Sequence, residues 1–300
     1  MTAYLKALSD LKIEYVEKCP MSSLTTFHIG GPADVLVKPK NEGELKSAIL
    51  AAKECGIPLM LLGKGSNLLV SDDGIEGAVI HIADGLDKIE VLENGIVSCK
   101  AGASLAALCS ACLNSGLSGL EFAYGIPGSV GGAIYMNAGA YGGEMRDVVR
   151  SVTYMTGEGE IKTASADELD FSYRHSRFSG KDDIILSAQF ALVEDKKESI
   201  RARMDDYIGR RKDKQPLNFP SAGSVFKRPE GYFAGALVEQ CGLKGYTVGG
   251  AQVSEKHAGF IVNVGGATCS DVLGLIEHIK ATVFQKFGVA LESEIIKIGR

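Results

Sequence analysis

Apolar positions along this chain follow two periods, and the places where one gives way to the other mark its elements. Residues 4–11 read as a short amphipathic helix, and residues 33–39 alternate as a strand. Leu45, Ile49 and Ala52 recur at helical spacing within 42–55, and Gly56 and Pro58 predict where that helix stops. Residues 59–62, Leu-Met-Leu-Leu, read as a fully apolar strand. Strand, helix and strand in this order predict parallel pairing. Residues 78–82 give a further strand, after which a second segment begins near Asp84. Residues 88–92 and 96–100 flank Glu93-Asn94-Gly95, a hairpin signal, and 148–155 with 160–163 flank Gly157-Glu158-Gly159. Residues 104–115 predict an apolar helix closed by Gly116, and 183–193 a long strand.

Charge density rises over 194–214, where Arg201, Arg203, Arg210 and Arg211 stand among acids, the pattern of a helix with a solvated face. A loop over 216–229, a short helix over 233–241 and strand character through 252–264 follow. Val272, Leu275, Ile276, Ile279, Val283 and Phe287 define an amphipathic helix over 271–287. Thr268 with Asp271 three residues on predicts its cap, and Gly288 its end.

One stretch fits neither period. Seven of the nineteen residues from 125 to 143 are glycine, and no amphipathic helix or alternating strand can be drawn through them. Such density permits positive φ and leaves no Cβ between main-chain N–H groups and a ligand, so the stretch reads as a bed for a diphosphate. Ile126, Val130, Ile134, Tyr135, Met136 and Tyr141 argue against a flexible linker. Gly63-Lys-Gly-Ser-Asn67 follows the strand 59–62 at its carboxyl end, where α/β units bind ligands. It is neither a dinucleotide fingerprint, since Leu68 replaces the third glycine, nor a Walker loop, since Gly65 follows the lysine.

Three further places carry candidate chemistry. Residues 171–178 form a cationic-aromatic patch in which Arg174 suits either a two-pronged grip on a carboxylate or a surface ion pair. Read as a strand, residues 291–298 put Glu294 on one face with Ile296 and Ile298, where a carboxylate is costly unless paired or functional. Glu292 lies on the same side and competes with it. Ser224, Ser221 and Ser129 are rival hydroxyls in loops. His257 reads equally as a ligand contact and as a satisfied loop histidine.

Composition narrows the classes. The 300 residues are 45% hydrophobic and 23% charged, ordinary for a globular protein, and suffice for one large domain or two to three small ones. A net charge of −5 gives no bulk electrostatic case for nucleic acid or a membrane surface. No run of 18 apolar residues predicts a spanning helix, and the N-terminus has no secretion signal. The seven cysteines are scattered and odd in number, which fits a reducing cytoplasm. Cys109 and Cys112 have redox spacing but lie within the apolar helix without a second pair, so they read as buried thiols and no metal site is expected.

Taken in order, Thr26-Phe-His-Ile-Gly-Gly-Pro-Ala-Asp34, Leu62-Gly-Lys-Gly-Ser-Asn67, Gly125-Ile-Pro-Gly-Ser-Val-Gly-Gly132 with Asn137-Ala-Gly139, Ser172-Tyr-Arg-His-Ser-Arg-Phe178, Ala222-Gly-Ser-Val-Phe-Lys227 and Leu291-Glu-Ser-Glu294 resemble the UDP-N-acetylenolpyruvoylglucosamine reductase family over nearly the whole chain. The resemblance implies an α+β protein. Its two-lobed FAD-binding fold is of the vanillyl-alcohol-oxidase type, followed by a C-terminal α+β substrate-binding domain. The expected division is 1–83 and 84–194 for the FAD-binding lobes and 195–300 for the substrate domain.

The resemblance implies reduction of an enolpyruvyl ether to a lactyl ether in peptidoglycan precursor synthesis. NADPH would supply hydride, FAD N5 would relay it, and a serine would protonate the product, UDP-N-acetylmuramate. Arg174, Ser224 and Glu294 are then the expected catalytic residues. Leu62, Gly63, Lys64, Gly65, Ser66, Asn67, Gly125, Ile126, Pro127, Gly128, Ser129, Gly131, Gly132, Asn137 and Gly139 would border FAD. Tyr173, Lys227, Arg228 and His257 would meet the substrate. About fifty residues separate Arg174 from Ser224, so the chain resembles the shorter type that lacks a tyrosine-bearing loop. Arg228 stands where the longer type has asparagine. A cytoplasmic monomer is expected. The competing expectation is another FAD-dependent oxidoreductase of the same fold.

Overall fold

A computed structural model describes residues 1–82 and 85–300, so the expected start of a second segment at Asp84 lies outside the described residues. The chain divides into two units. The first comprises Met1–Val16, Leu36–Lys64 and Ala78–Arg211, and the second Glu17–Val35, Gly65–Gly77 and Lys212–Arg300.

In the first unit, Asn41 caps the helix Glu42–Glu54 by accepting a hydrogen bond from Glu44 N–H, and Gly56 leaves it at φ 63°. The strand Leu59–Leu62 lies at the edge of a four-stranded sheet and pairs in parallel with Ile75–His81, Leu62 opposite His81. Glu14–Pro20 and Pro32–Lys38, whose residues 17–20 and 32–35 are counted in the second unit, complete that sheet. As an edge strand, Leu59–Leu62 is not fully buried as its composition predicts: Leu59 is 37% exposed. Glu14–Pro20 carries no alternation because nearly every residue in it faces solvent, so periodicity does not reveal it.

A five-stranded antiparallel sheet carries the rest of the unit, in the spatial order Ile161–Ser165, Val149–Met155, Ile184–Ala191, Ile96–Lys100, Ile89–Val91. Both predicted hairpins are in it. Asn94 and Gly95 take φ values of 58° and 71°, the left-handed pair that a tight hairpin requires. Leu105–Asn114 begins on a Ser104 cap and buries Leu105, Leu108, Cys109 and Cys112. The thiols of this region sit in an apolar interior: burial pushes Cys99 and Cys112 up to about 12 and Cys109 further. The solvated reading of the arginine-rich helix Lys197–Lys214 holds only in part. Arg203 donates to the buried Glu121 at 2.8 Å, to Ser118 Oγ at 3.0 Å and to Asp195 at 2.6 Å.

The second unit has its own core, in which Phe27, Ile29, Leu69, Val225, Phe226, Val238, Ile261, Val272, Leu275, Ile279 and Val283 are buried together. The helix Cys269–Phe287 starts on the predicted capping box of Thr268 and Asp271 and ends at Gly288 with φ 68°. The strand character of 252–264 resolves into two strands, Ala251–Val253 and Ile261–Asn263, which pair antiparallel around a turn holding His257. Only Ile296–Ile298 of the last segment is a strand; it pairs in parallel with Leu68–Val70. Glu294 therefore precedes the strand, and the buried neighbours are Leu291 and Ile295, not the face that alternation assigned.

Candidate functional site

The glycine stretch is more ordered than its composition suggests. Val130–Tyr135 forms a short helix, capped by Ser129, whose hydroxyl accepts from Gly132 N–H at 3.3 Å. Val130, Ala133 and Ile134 are buried. Val130 N–H donates to Ala103 C=O and Gly131 N–H to Ala101 C=O, both at 2.9 Å. These N–H groups are spent on the protein, so residues 130–132 are not the open anion bed that the glycine count predicts.

The free donors lie next to it. Among the described residues, the main-chain N–H groups of Gly63, Lys64 and Ser129 have no hydrogen-bond partner. A Cβ on Gly63 would stand 2.3 Å from Ser129 Oγ, so the strand end and the helix cap meet only because Gly63 has no side chain. These backbone donors, with no Cβ at Gly63 where strand end and helix cap meet, fit a diphosphate. Ile126 and Gly128 close a local turn, with Gly128 N–H donating to Ile126 C=O at 2.8 Å, and Pro127 is exposed at its tip.

Arg211, read from sequence as part of a solvated face, is half-buried against this loop: a Cβ on Gly125 would lie 3.1 Å from its Cδ. Burial lowers the pKa of its guanidinium, with Tyr141 opposing. Tyr141 stacks on Tyr207 with ring centroids 4.7 Å apart. Nothing in the sequence distinguishes Arg211 from Arg210, because only the tertiary placement of Gly125 does so.

Arg174 occupies the tip of a tight turn with Tyr173. Ser172 and His175 exchange both main-chain hydrogen bonds at 3.1 Å, and Arg174 takes φ 56° with its guanidinium 5.1 Å from the Tyr173 ring centroid. Asn137 lies beside this turn, buried, and donates to Ser172 C=O at 3.0 Å.

In the second unit, the structure brings Ser224, Glu294 and Asn67 together. The segment around Ser224 lies between two others: Ser224 bridges to Phe260 and Phe226 to Ser293. Val225 N–H donates to Gly259 C=O at 2.9 Å, and Glu294 N–H donates to Val225 C=O at 2.7 Å. Asn67 donates its side-chain N–H to Glu294 C=O at 3.3 Å and its own C=O accepts from Ile296 N–H at 2.9 Å. Ser224 Oγ is half-buried, and its contact with Phe226 C=O is long at 3.3 Å. Of the two rival serines, Ser129 has its hydroxyl engaged, while Ser221 is fastened through its main chain. Ser129 caps a helix, while Ser221 exchanges backbone contacts with Thr26, at 2.7 Å to the threonine hydroxyl and 3.1 Å to its C=O.

Three residues expected to meet the substrate also have partners within the protein. Glu292, the rival of Glu294, is exposed and forms an ion pair with Lys227. Arg228 lies over the Phe233 ring at 4.1 Å. His257 is packed between two glycines: a Cβ on Gly259 or Gly235 would lie 2.9 or 3.1 Å from its Cε1. Its Nδ1 accepts from Gly259 N–H at 3.0 Å, and burial lowers its pKa. Its Nδ1 is thus satisfied within the turn. Among the described residues no three His, Cys, Asp or Glu groups come together to hold a metal ion, and no helix is long and apolar enough to cross a membrane.

Comparison with known proteins fits this geometry. A profile for an FAD binding domain matches residues 33–165, and one for the C-terminal domain of UDP-N-acetylenolpyruvoylglucosamine reductase matches residues 215–298. A glucooligosaccharide oxidase from Acremonium strictum shares the fold at a TM-score of 0.52, with 13% identity over 94% of this chain and 58% of its own. The class is thus an FAD-binding α+β oxidoreductase. The UDP-N-acetylenolpyruvoylglucosamine reductase of Agathobacter rectalis is 52% identical over 93% of this chain and 92% of its own. That of Latilactobacillus sakei is 48% identical over 100% and 98%. The Thermus caldophilus enzyme superposes with a TM-score of 0.81, at 36% identity, over 95% of this chain and 98% of its own. The chain belongs to the UDP-N-acetylenolpyruvoylglucosamine reductase family.

Proposed function

We propose that Arg174, Ser224 and Glu294 carry the chemistry by which this family member reduces UDP-N-acetylglucosamine enolpyruvate to UDP-N-acetylmuramate with NADPH as electron donor. The observation that supports this most is the placement of Ser224. Its hydroxyl is half-buried, weakly engaged, and set beside Glu294 by the hydrogen bond from Glu294 N–H to Val225 C=O.

FAD, when bound, supplies hydride transfer between NADPH and the substrate. Gly63, Lys64 and Ser129 would hold its diphosphate through their main-chain N–H groups, and Gly125 with Gly128 would border it. Hydride addition to the terminal methylene leaves negative charge shared between the adjacent carbon and the substrate carboxylate. Arg174 grips that carboxylate with paired N–H groups where the charge develops. Ser224 Oγ–H gives its proton to the carbon bearing the ether, completing the lactyl group. Glu294 supplies a carboxyl group on the substrate's side of that proton transfer. Residues 1–83 and 84–194 act as cofactor lobes and 195–300 as the substrate domain. The protein works as a cytoplasmic monomer, a setting in keeping with its seven free cysteines.

Arg174→Ala and Glu294→Gln are each expected to lower turnover about 100- to 1,000-fold while FAD stays bound, measured by flavin absorbance after gel filtration. Loss of FAD from either variant would assign that residue a structural role instead. A same-fold oxidase would recolour quickly in air after NADPH bleaches it; this chain is expected to recolour quickly only with the enolpyruvyl substrate.

A further inference from the structure

Asn137 belongs to the glycine stretch, yet its side-chain amide is engaged wholly by protein groups. It is fully buried, with φ 40°. Both N–H bonds of its amide are spent: Nδ2 donates to Glu144 Oε2 at 3.0 Å and to Ser172 C=O at 3.0 Å. Oδ1 accepts from Arg146 N–H at 3.0 Å, which fixes the orientation of the amide.

Ser172 opens the turn that carries Arg174. A non-glycine residue in the left-handed region costs roughly 1 kcal/mol and persists where its surroundings impose it. Here both ends of the turn are fastened to the same short segment. Asn137 holds the Ser172 carbonyl on the entering side. On the leaving side, the buried Ser176 donates its hydroxyl to Tyr135 C=O at 2.8 Å, and Gly180 N–H donates to the Tyr135 hydroxyl at 3.2 Å. Tyr135 is the last residue of the helix Val130–Tyr135, whose Ser129 cap faces Gly63, and Asn137 stands two residues beyond it. One rigid piece therefore borders the cofactor cradle and sets the arginine turn.

We infer that Asn137 is a positioning residue for Arg174, holding the turn so that the guanidinium is presented to the substrate carboxylate, and that it does not contact FAD. This rests on the role proposed for Arg174. Without the amide, the Ser172 carbonyl loses its outside donor and the strained tip relaxes; a shift of about 1 Å in a binding group costs roughly 100-fold in rate.

The test is a double-mutant cycle on the FAD-loaded protein, followed without oxygen through its two half-reactions: bleaching by NADPH and recolouring by the enolpyruvyl substrate. Asn137→Ala is expected to keep FAD and bleach at the wild-type rate, but to recolour about 100-fold more slowly. In the Arg174→Ala background the same change is expected to slow recolouring by less than about twofold, because its effect passes through the arginine. Full additivity overturns the inference, as does loss of FAD or equal slowing of both half-reactions. If Asn137→Ala does not fold, Ser176→Ala cuts the other fastening and is read by the same cycle. Normal recolouring by Arg174→Ala alone would instead remove the proposed role of Arg174 itself.

Discussion

Asp34 shows how a single residue closes a motif that sequence can recognise but not explain. Its carboxylate accepts from Lys18 Nζ at 2.7 Å, from an Arg300 Nη at 2.8 Å and from Gly77 N–H at 3.1 Å. The Lys18 hydrogen bond, against an opposing push from burial and with help from Arg300 and Gly77, holds its pKa well below the carboxylate range. The folded pKa lies below the unfolded one, so the stabilisation is present above about pH 3.9 and is lost as pH falls through the folded value. Asp34→Asn is therefore expected to lower the melting temperature at pH 7, with the gap narrowing in thermal melts below about pH 4. A gap that stays constant with pH would contradict this account. The partners lie at sequence separations of 16, 266 and 43 residues, which is why the motif was legible and its purpose was not. Glu294 is the opposite case. Its choice from strand alternation rested on a strand that begins only at Ile296, and its position beside Ser224 comes from the contact with Val225.

At the scale of elements, what was legible depended on whether the signal was local. The Thr268–Asp271 box, the Asn94-Gly95 turn and the Gly288 stop each act within four residues, and each is found where the sequence puts it. The helix Val130–Tyr135 was hidden because two of its six residues are glycine; it is stabilised by its Ser129 cap and by buried Val130, Ala133 and Ile134. Strands of three residues, such as Leu68–Val70, are too short for any period to show. The capping box gives a quantitative check. Thr268→Ala removes the acceptor for Asp271 N–H, at 3.0 Å, and is expected to cost about 1 kcal/mol in a denaturant melt. A loss below about 0.3 kcal/mol would mean that Asp72, which accepts from Cys269 and Ser270 N–H groups, satisfies the helix start without it.

At the scale of the whole chain, the residues of the proposed reaction are dispersed: Gly63 and Ser129 bind the cofactor, Arg174 follows, and Ser224 and Glu294 come later still. The sequence could order these motifs but could not say which hydroxyl is available. The structure narrows this by giving the Ser129 hydroxyl a helix cap to serve, fastening Ser221 through its main chain, and setting Ser224, with only a long hydroxyl contact, in the segment that bonds Glu294. The most direct test of the account is Ser224→Ala in the FAD-loaded protein without oxygen. Bleaching by NADPH is predicted to proceed at the wild-type rate, and recolouring by the enolpyruvyl substrate to slow by about 100- to 10,000-fold. Wild-type rates in both half-reactions would show that Ser224 is not the proton donor.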